Sequence, residues 1–201
     1  LLSGSRDAMP FAFPEQIETE RLILRPPRPG DGAEVNAAIR ETFDQLHRWM
    51  EWAERVPTPQ QTEENRIRAR ERYLQGEDYS VQGYLKGDGT LALLAGLHPR
   101  SADMSVLEIG YWCRASCQGH GYVTEAVRAL TRTAFADLRI RRVEIRCDAR
   151  NAPSRAVAER AGYPLDFVLP GDPAAPDGSP RDTCVYALTR EQFAALATPP
   201  A

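Results

Sequence analysis

The sequence predicts a single α+β domain: a central mixed, mostly antiparallel sheet flanked by helices, in the order β-α-α-β-β-β-α-β-α-β-β. Three observations carry this. Strand-like runs recur at DYSVQGYLK (78–86), TLALLAGLH (90–98), SVLEIGYWC (105–113) and RVEIRCDA (142–149). The first two are joined through Gly87-Asp88-Gly89, a strong hairpin signal. Between the last two, Val123, Val127, Leu130, Ala134 and Leu138 fall at the spacing of one helical face, which makes residues 122–138 a crossover helix.

The remaining elements follow in chain order. ERLILRP (20–26) is a first strand, stopped by Pro26, Pro27 and Pro29. Asp31 is placed to cap a helix carrying Val35 and Ile39 on one face. The tryptophan-rich stretch 44–56 is a second helical or loop segment. Residues 60–74 form a mostly charged third one, anchored by Ile67 and Leu74. Residues 152–163 form a short helix ended by Gly162, which suits a left-handed cap. YPLDFVL (163–169) and TCVYALT (183–189) are the final strands, separated by the Pro/Gly/Asp-rich loop 170–182. Residues 1–8 read as a cloning remnant with translation starting at Met9, which leaves 9–201 as the domain.

A chain of 201 residues is long enough for one domain with a real core. Its net charge of -3 argues against a nucleic-acid-binding protein. The basic run 138–146 alternates as a strand with a solvated arginine face would. Lys86 is the single lysine, so neither a lysine Schiff base nor a phosphate-loop lysine fits. The four cysteines, Cys113, Cys117, Cys147 and Cys184, show no CxxC spacing and no neighbouring histidine pair, which argues against zinc and disulfides and for a reduced, cytoplasmic setting. No apolar run approaches the ~20 residues of a membrane span.

The stretch EIGYWCRASCQGHGYVTEAV (108–127) leaves a strand, sets Gly119 and Gly121 around His120, and opens a helix at once. Helix N-termini present unpaired N–H groups, so this turn can hold an anion. It is not a P-loop, because Tyr122 follows Gly121 where Lys-Ser/Thr is needed. Nor is it a dinucleotide fingerprint, because position 124 is Thr where the third glycine belongs. A pyrophosphate held by backbone N–H groups remains.

EIGYW, then QGHGYVTEA, then NAPSRAVAERAGY (151–163) resemble, in this order and spacing, the GNAT family of acyl-CoA N-acyltransferases. The likeness spans residues 18–193 and is greatest to the branch of Rim-type ribosomal-protein N-terminal acetyltransferases. The resemblance implies acetyl-CoA as acyl donor and no metal. Backbone groups of Gln118, Gly119, His120, Gly121, Tyr122, Val123 and Thr124 would bind the pyrophosphate, with Glu125 mainly structural. The strand through Ile109, Tyr111 and Cys113 would lie along the pantetheine arm, beside a splay between this strand and RVEIRCD. Asn151 would contact the cofactor, and the Ser154 hydroxyl would protonate the departing sulfur. The family's glycine motif opens with Gln or Arg where this chain has Ser116, which removes a side-chain contact but leaves the backbone cradle.

Attack of an amine on a thioester needs a neutral amine. An α-amine of pKa ~8 costs ~1.4 kcal/mol to deprotonate at pH 7, whereas a lysine costs roughly 4.6. Glu108, at the start of the pantetheine strand, is the candidate base and acceptor contact. Its alternative is an outward-facing strand carboxylate. Trp49 and Trp52, three apart and so on one helical face, either wall the acceptor pocket or belong to the core. Direct attack in a ternary complex suits a chain whose cysteines lack a histidine partner. The acceptor is a protein N-terminus or a small-molecule amine, and the protein a monomer or homodimer. A non-catalytic acyl-CoA sensor is the rival reading.

Overall fold

The computed structural model describes residues 13–137, 139–171 and 178–197. The strands are β1 (Ile17–Glu18), β2 (Leu22–Arg25), β3 (Tyr79–Leu85), β4 (Leu91–Pro99), β5 (Val106–Cys113), β6 (Arg142–Asp148), β7 (Leu165–Leu169) and β8 (Thr183–Thr189). They form one sheet in the order β1-β2-β3-β4-β5-β6-β8-β7. The helices are α1 (Gly32–Trp49), α2 (Pro59–Gln75), α3 (Tyr122–Ala136), α4 (Ala152–Arg160) and α5 (Arg190–Ala197), with a 3-10 turn at Ala115–Cys117.

Alternation, shifted by one residue at the β3–β4 bulge where Gly83 pairs Leu93 and Tyr84 pairs Leu91, splits the strand side chains between two cores. Leu93 and Leu97 of β4 join Leu107 and Ile109 of β5 against Val127 and Leu130 of α3. Leu91 and Leu94 join Val35, Ile39 and Leu46 of α1 instead. Every strand pair is antiparallel except β5 with β6, which the α3 crossover makes parallel. β5 pairs with β4 from Leu107 to Cys113. It pairs with β6 only from Val106↔Arg142 to Glu108↔Glu144, and beyond Glu108 the two strands part. The expected splay is therefore there.

Four expectations need correction. α1 runs on to Trp49 instead of breaking near residue 44, and Met50 then turns extended, with φ -113 and ψ 118. Trp49 and Trp52 consequently share no helical face. Asp31 stands at the α1 N-cap without a side-chain cap bond, because its carboxylate is taken by Arg25 and the Arg28 N–H. In α2 the buried residues are Thr62 and Tyr73, while Ile67 and Leu74 are exposed. The inward face follows 62, 66, 69 and 73, so the helix is anchored by a hydroxyl and a phenol. α3 ends at Ala136, and Leu138 lies outside the described residues, as do residues 1–12 and 172–177 of the loop before β8. β1, the 3-10 turn and α5 are additions to the expected order.

The basic run on β6 is ion-paired: Arg142 and Arg146 both hold Glu144, Arg141 faces Asp103, and Arg139 holds Asp137. No helix among the described residues is long and apolar enough to cross a membrane.

Candidate active site

The glycine turn is built by its backbone. Gly119 and Gly121 take φ of 78° and 80°, a left-handed conformation that only glycine adopts without strain. Their positive φ swings the chain so that α3 starts immediately at Tyr122. Among the described residues beyond its two chain neighbours, no atom lies within 4 Å of where a Gly119 side chain would begin, and only the Arg21 guanidinium, at 3.6 Å, approaches that of Gly121. Among the described residues, the N–H groups from Gly119 to Thr124 find no backbone acceptor. The Thr124 hydroxyl is buried there without a partner. Open space, free N–H donors and the positive end of a 15-residue helix together fit an anion.

Side chains brace this turn from behind. Arg21 donates to the His120 carbonyl at 2.8 Å and pairs with Glu125 at 2.7 Å, and Glu125 also accepts from Thr19 at 2.6 Å. Glu125 is thus structural. The His120 ring stacks on Tyr122 at 5.5 Å, and Val123 packs against the larger core. The Gln118 amide donates to Gln45 at 2.6 Å and to the Cys113 carbonyl at 3.2 Å. Glu41 of α1 accepts from the Ser116 N–H at 2.7 Å and the Arg114 guanidinium at 2.6 Å. The Ser116 hydroxyl, then the Arg114 guanidinium and the Ser116 N–H, hold the Glu41 carboxyl down at about 2.

A cleft of about 1360 Å³ opens where β5 and β6 part. Glu108, Ile109, Tyr111, Asn151, Ser154, Trp49 and Trp52 all line it. Cys113 and residues 118–124 do not, and the Cys113 thiol instead sits 3.5 Å from the Ala92 carbonyl. Trp52 is 52% exposed, so the cleft wall and not the core is its place.

Glu108 occupies the last β5–β6 rung. Burial pushes its carboxyl above the ordinary range, with Arg100, Arg146 and His98 pulling the other way. Arg100 approaches it at 3.5 Å. His98 of β4 is its cross-strand partner. A side chain at Gly96 would meet the His98 ring at 2.9 Å and one at Gly110 at 3.1 Å, so these two glycines form the ring's seat. Its Nδ1 lies 3.1 Å from both oxygens of Asp78. Burial opposes ionisation of Asp78, yet His98 and Arg72 hold its carboxyl below the usual range. His98, Asp78 and Arg100 were missed in the sequence. The register of the β4–β5 hairpin, which sets residue 98 opposite 108, was the available signal.

On the other side of the opening, Asn151 caps α4 by accepting from the Ser154 N–H at 3.2 Å. The Ser154 hydroxyl lies 3.0 Å from the Tyr111 hydroxyl. Burial raises the Tyr111 phenol well above its ordinary value, which keeps it protonated. Tyr163 is buried and bonds Thr131 at 2.6 Å, so it is a packing residue. Among the described residues, no three histidines, cysteines or carboxylates cluster to hold a metal ion.

A sequence profile described as acetyltransferase (GNAT) domain matches residues 21–164. The chain belongs to the GNAT acetyltransferase family. As a GNAT acetyltransferase it uses acetyl-CoA as acyl donor, and the enzyme reading stands over the sensor. The Bacillus subtilis (strain 168) protein YdaF, whose name assigns it to ribosomal N-acetylation, is 29% identical over 174 residues, 87% of this chain and 94% of its own. The microcin C7 self-immunity acetyltransferase MccE, crystallised with acetyl-CoA and AMP, superimposes with a TM-score of 0.80 at 22% identity, over 89% of this chain and 98% of its own. RimL, the ribosomal L7/L12 α-N-protein acetyltransferase, crystallised with coenzyme A, gives a TM-score of 0.79 at 21% identity, over 89% and 99%. These two establish the shared GNAT fold.

Proposed function

We propose that this GNAT enzyme acetylates the N-terminal α-amine of a protein or peptide by direct attack in a ternary complex. The observation that carries the reading is Glu108, a half-buried carboxylate raised above its ordinary pKa at the point where the sheet opens into the cleft. A carboxylate base matches an α-amine of pKa ~8 better than a lysine of pKa ~10.4. The names of YdaF and RimL support a protein acceptor, in the cytoplasm where ribosomes are.

Bound acetyl-CoA supplies the thioester carbonyl that the amine attacks. The N–H groups of Gly119 to Thr124 hold its pyrophosphate, and the Thr124 hydroxyl gains the partner it lacks. The backbone of Ile109 to Cys113, unpaired on its β6 side, lies along the pantetheine arm. Glu108 accepts the amine proton, while Arg100 and the Asp78-fixed His98 set its position. Ser154, hydrogen-bonded to Tyr111, delivers a proton to the departing sulfur. Trp49 and Trp52 wall the acceptor side.

Glu108→Gln tests this on a panel of free N-terminal peptides, N-blocked lysine peptides and polyamines. The unaltered enzyme is expected to prefer the free N-termini. The variant is expected to lose about 100-fold or more in kcat/KM with acetyl-CoA affinity retained. Because only ionised Glu108 accepts a proton and its pKa is raised, the acidic limb of kcat/KM lies above the usual carboxylate range and vanishes in the variant. Full activity of Glu108→Gln would remove the assignment, and preference for lysine would remove the acceptor.

A further inference from the structure

We propose that the acceptor carries an oxyanion, a carboxylate or phosphate close behind its reacting amine, and that Arg66 and Arg181 bind it. The inference rests on the reading of the cleft as the acceptor site.

Arg66 stands on the inward face of α2, between the buried Thr62 and Tyr73, where the helical spacing calls for a core residue. Its Nε is buried without a partner. Among the described residues, the one hydrogen bond of its guanidinium goes to the side-chain oxygen of the adjacent Asn65. The two carboxylates that act on it electrostatically are already taken. Asp31 holds Arg25 through two bonds of 2.8 Å, and Asp78 holds Arg72 at 3.0 Å and His98 at 3.1 Å. Arg181, in the segment before β8, likewise has a buried Nε without a partner among the described residues. Its Nη2 comes no nearer than 3.7 Å to Glu51, whose side chain is 63% exposed. Both arginines line the cleft.

A desolvated guanidinium without an anion is costly to keep. Its planar fork matches carboxylate and phosphate, so a ligand anion can supply what the fold leaves out. The charge balance of the cleft agrees. Among the described residues, arginines outnumber carboxylates along its wall by seven to three. Arg72 and Arg146 are offset by Asp78 and Glu144 behind the wall, and the excess that remains still opposes a bare ammonium group more than an amine with an attached oxyanion. The anion is not the donor's pyrophosphate, because the turn that fits it, residues 118–124, is not part of this wall.

The test compares peptides that begin Ser-Glu, Ser-Gln or Ser-Lys, together with O-phosphoserine and serine as small acceptors. The glutamate peptide is expected to exceed the glutamine peptide in kcat/KM by about tenfold or more, with the lysine peptide lowest. That ratio should fall toward one in Arg66→Met and in Arg181→Gln. Peptides acetylated without regard to charge would overturn the oxyanion while leaving the N-terminal acceptor intact. Acetylation of O-phosphoserine with no peptide turned over would do the reverse. Independently of turnover, inorganic phosphate titrated with saturating CoA present should change the fluorescence of Trp49, Trp52 and Trp112, all in the cleft wall. No change there, or the same change in both variants, would also overturn the proposal.

Discussion

The two halves of this site are made differently. The turn proposed for the donor is mainly a backbone device, in which two left-handed glycines and a helix end present N–H groups, with the Thr124 hydroxyl as the one side-chain group among them. The cleft proposed for the acceptor is a side-chain device, assembled from α2, the turn after α1, β4, β5, β6, α4 and the segment before β8. A ligand common to a whole family can be met by groups every residue carries. A ligand particular to one enzyme has to be met by residues that can be exchanged. The difference explains how one fold keeps its donor while its acceptor changes.

The comparison is broken or sharpened by substitutions in the turn. Gly121→Val has the largest expected effect. A β-branched residue at φ 80° costs about 1–3 kcal/mol, and CoA affinity by calorimetry should fall more than tenfold. Thr124→Val comes next and acts in two directions. Removing a buried hydroxyl without a partner should stabilise the free protein by about 1 kcal/mol in a urea melt, while CoA binds several-fold more weakly. If both quantities fall, the hydroxyl has a partner in the free protein and is not held for the donor. His120→Ala is expected to do least, within about 0.5 kcal/mol, because the ring stacks on Tyr122 beside the cradle. A tenfold loss of CoA affinity in that variant would make the turn a side-chain device too.

What was legible in the sequence divides along the same line. A backbone requirement is written into residue type, so Gly119, Gly121 and the helix after them could be read directly. The strands were readable through alternation and the Gly87-Asp88-Gly89 hairpin. Glu108 was legible as a candidate, but its face required the register with His98. Arg66 and Arg181 carried no local signal, because what distinguishes them is the lack of a partner in three dimensions. Trp49 and Trp52 were placed on one helix because nothing in the residues announces the stop at Met50, which the bond from His47 to the Ala53 carbonyl, 2.8 Å, holds in place. α5 was missed although its start is marked: Thr189 and Gln192 exchange side-chain and backbone bonds of 3.2 and 2.8 Å, a capping box.

The early end of the β5–β6 ladder has one more consequence. A sheet ordinarily keeps its unpaired N–H and C=O rows at its outer margins, where another protein can add a strand and aggregation begins. Here residues 109–113 and 145–148 carry such rows inside the sheet, facing each other across the gap. With β4 and β8 already paired along the outer flanks of β5 and β6, these rows open onto the gap between the two strands. Strand-like hydrogen bonding is thus held inside the sheet, where the proposed pantetheine path runs, and away from the outer margins.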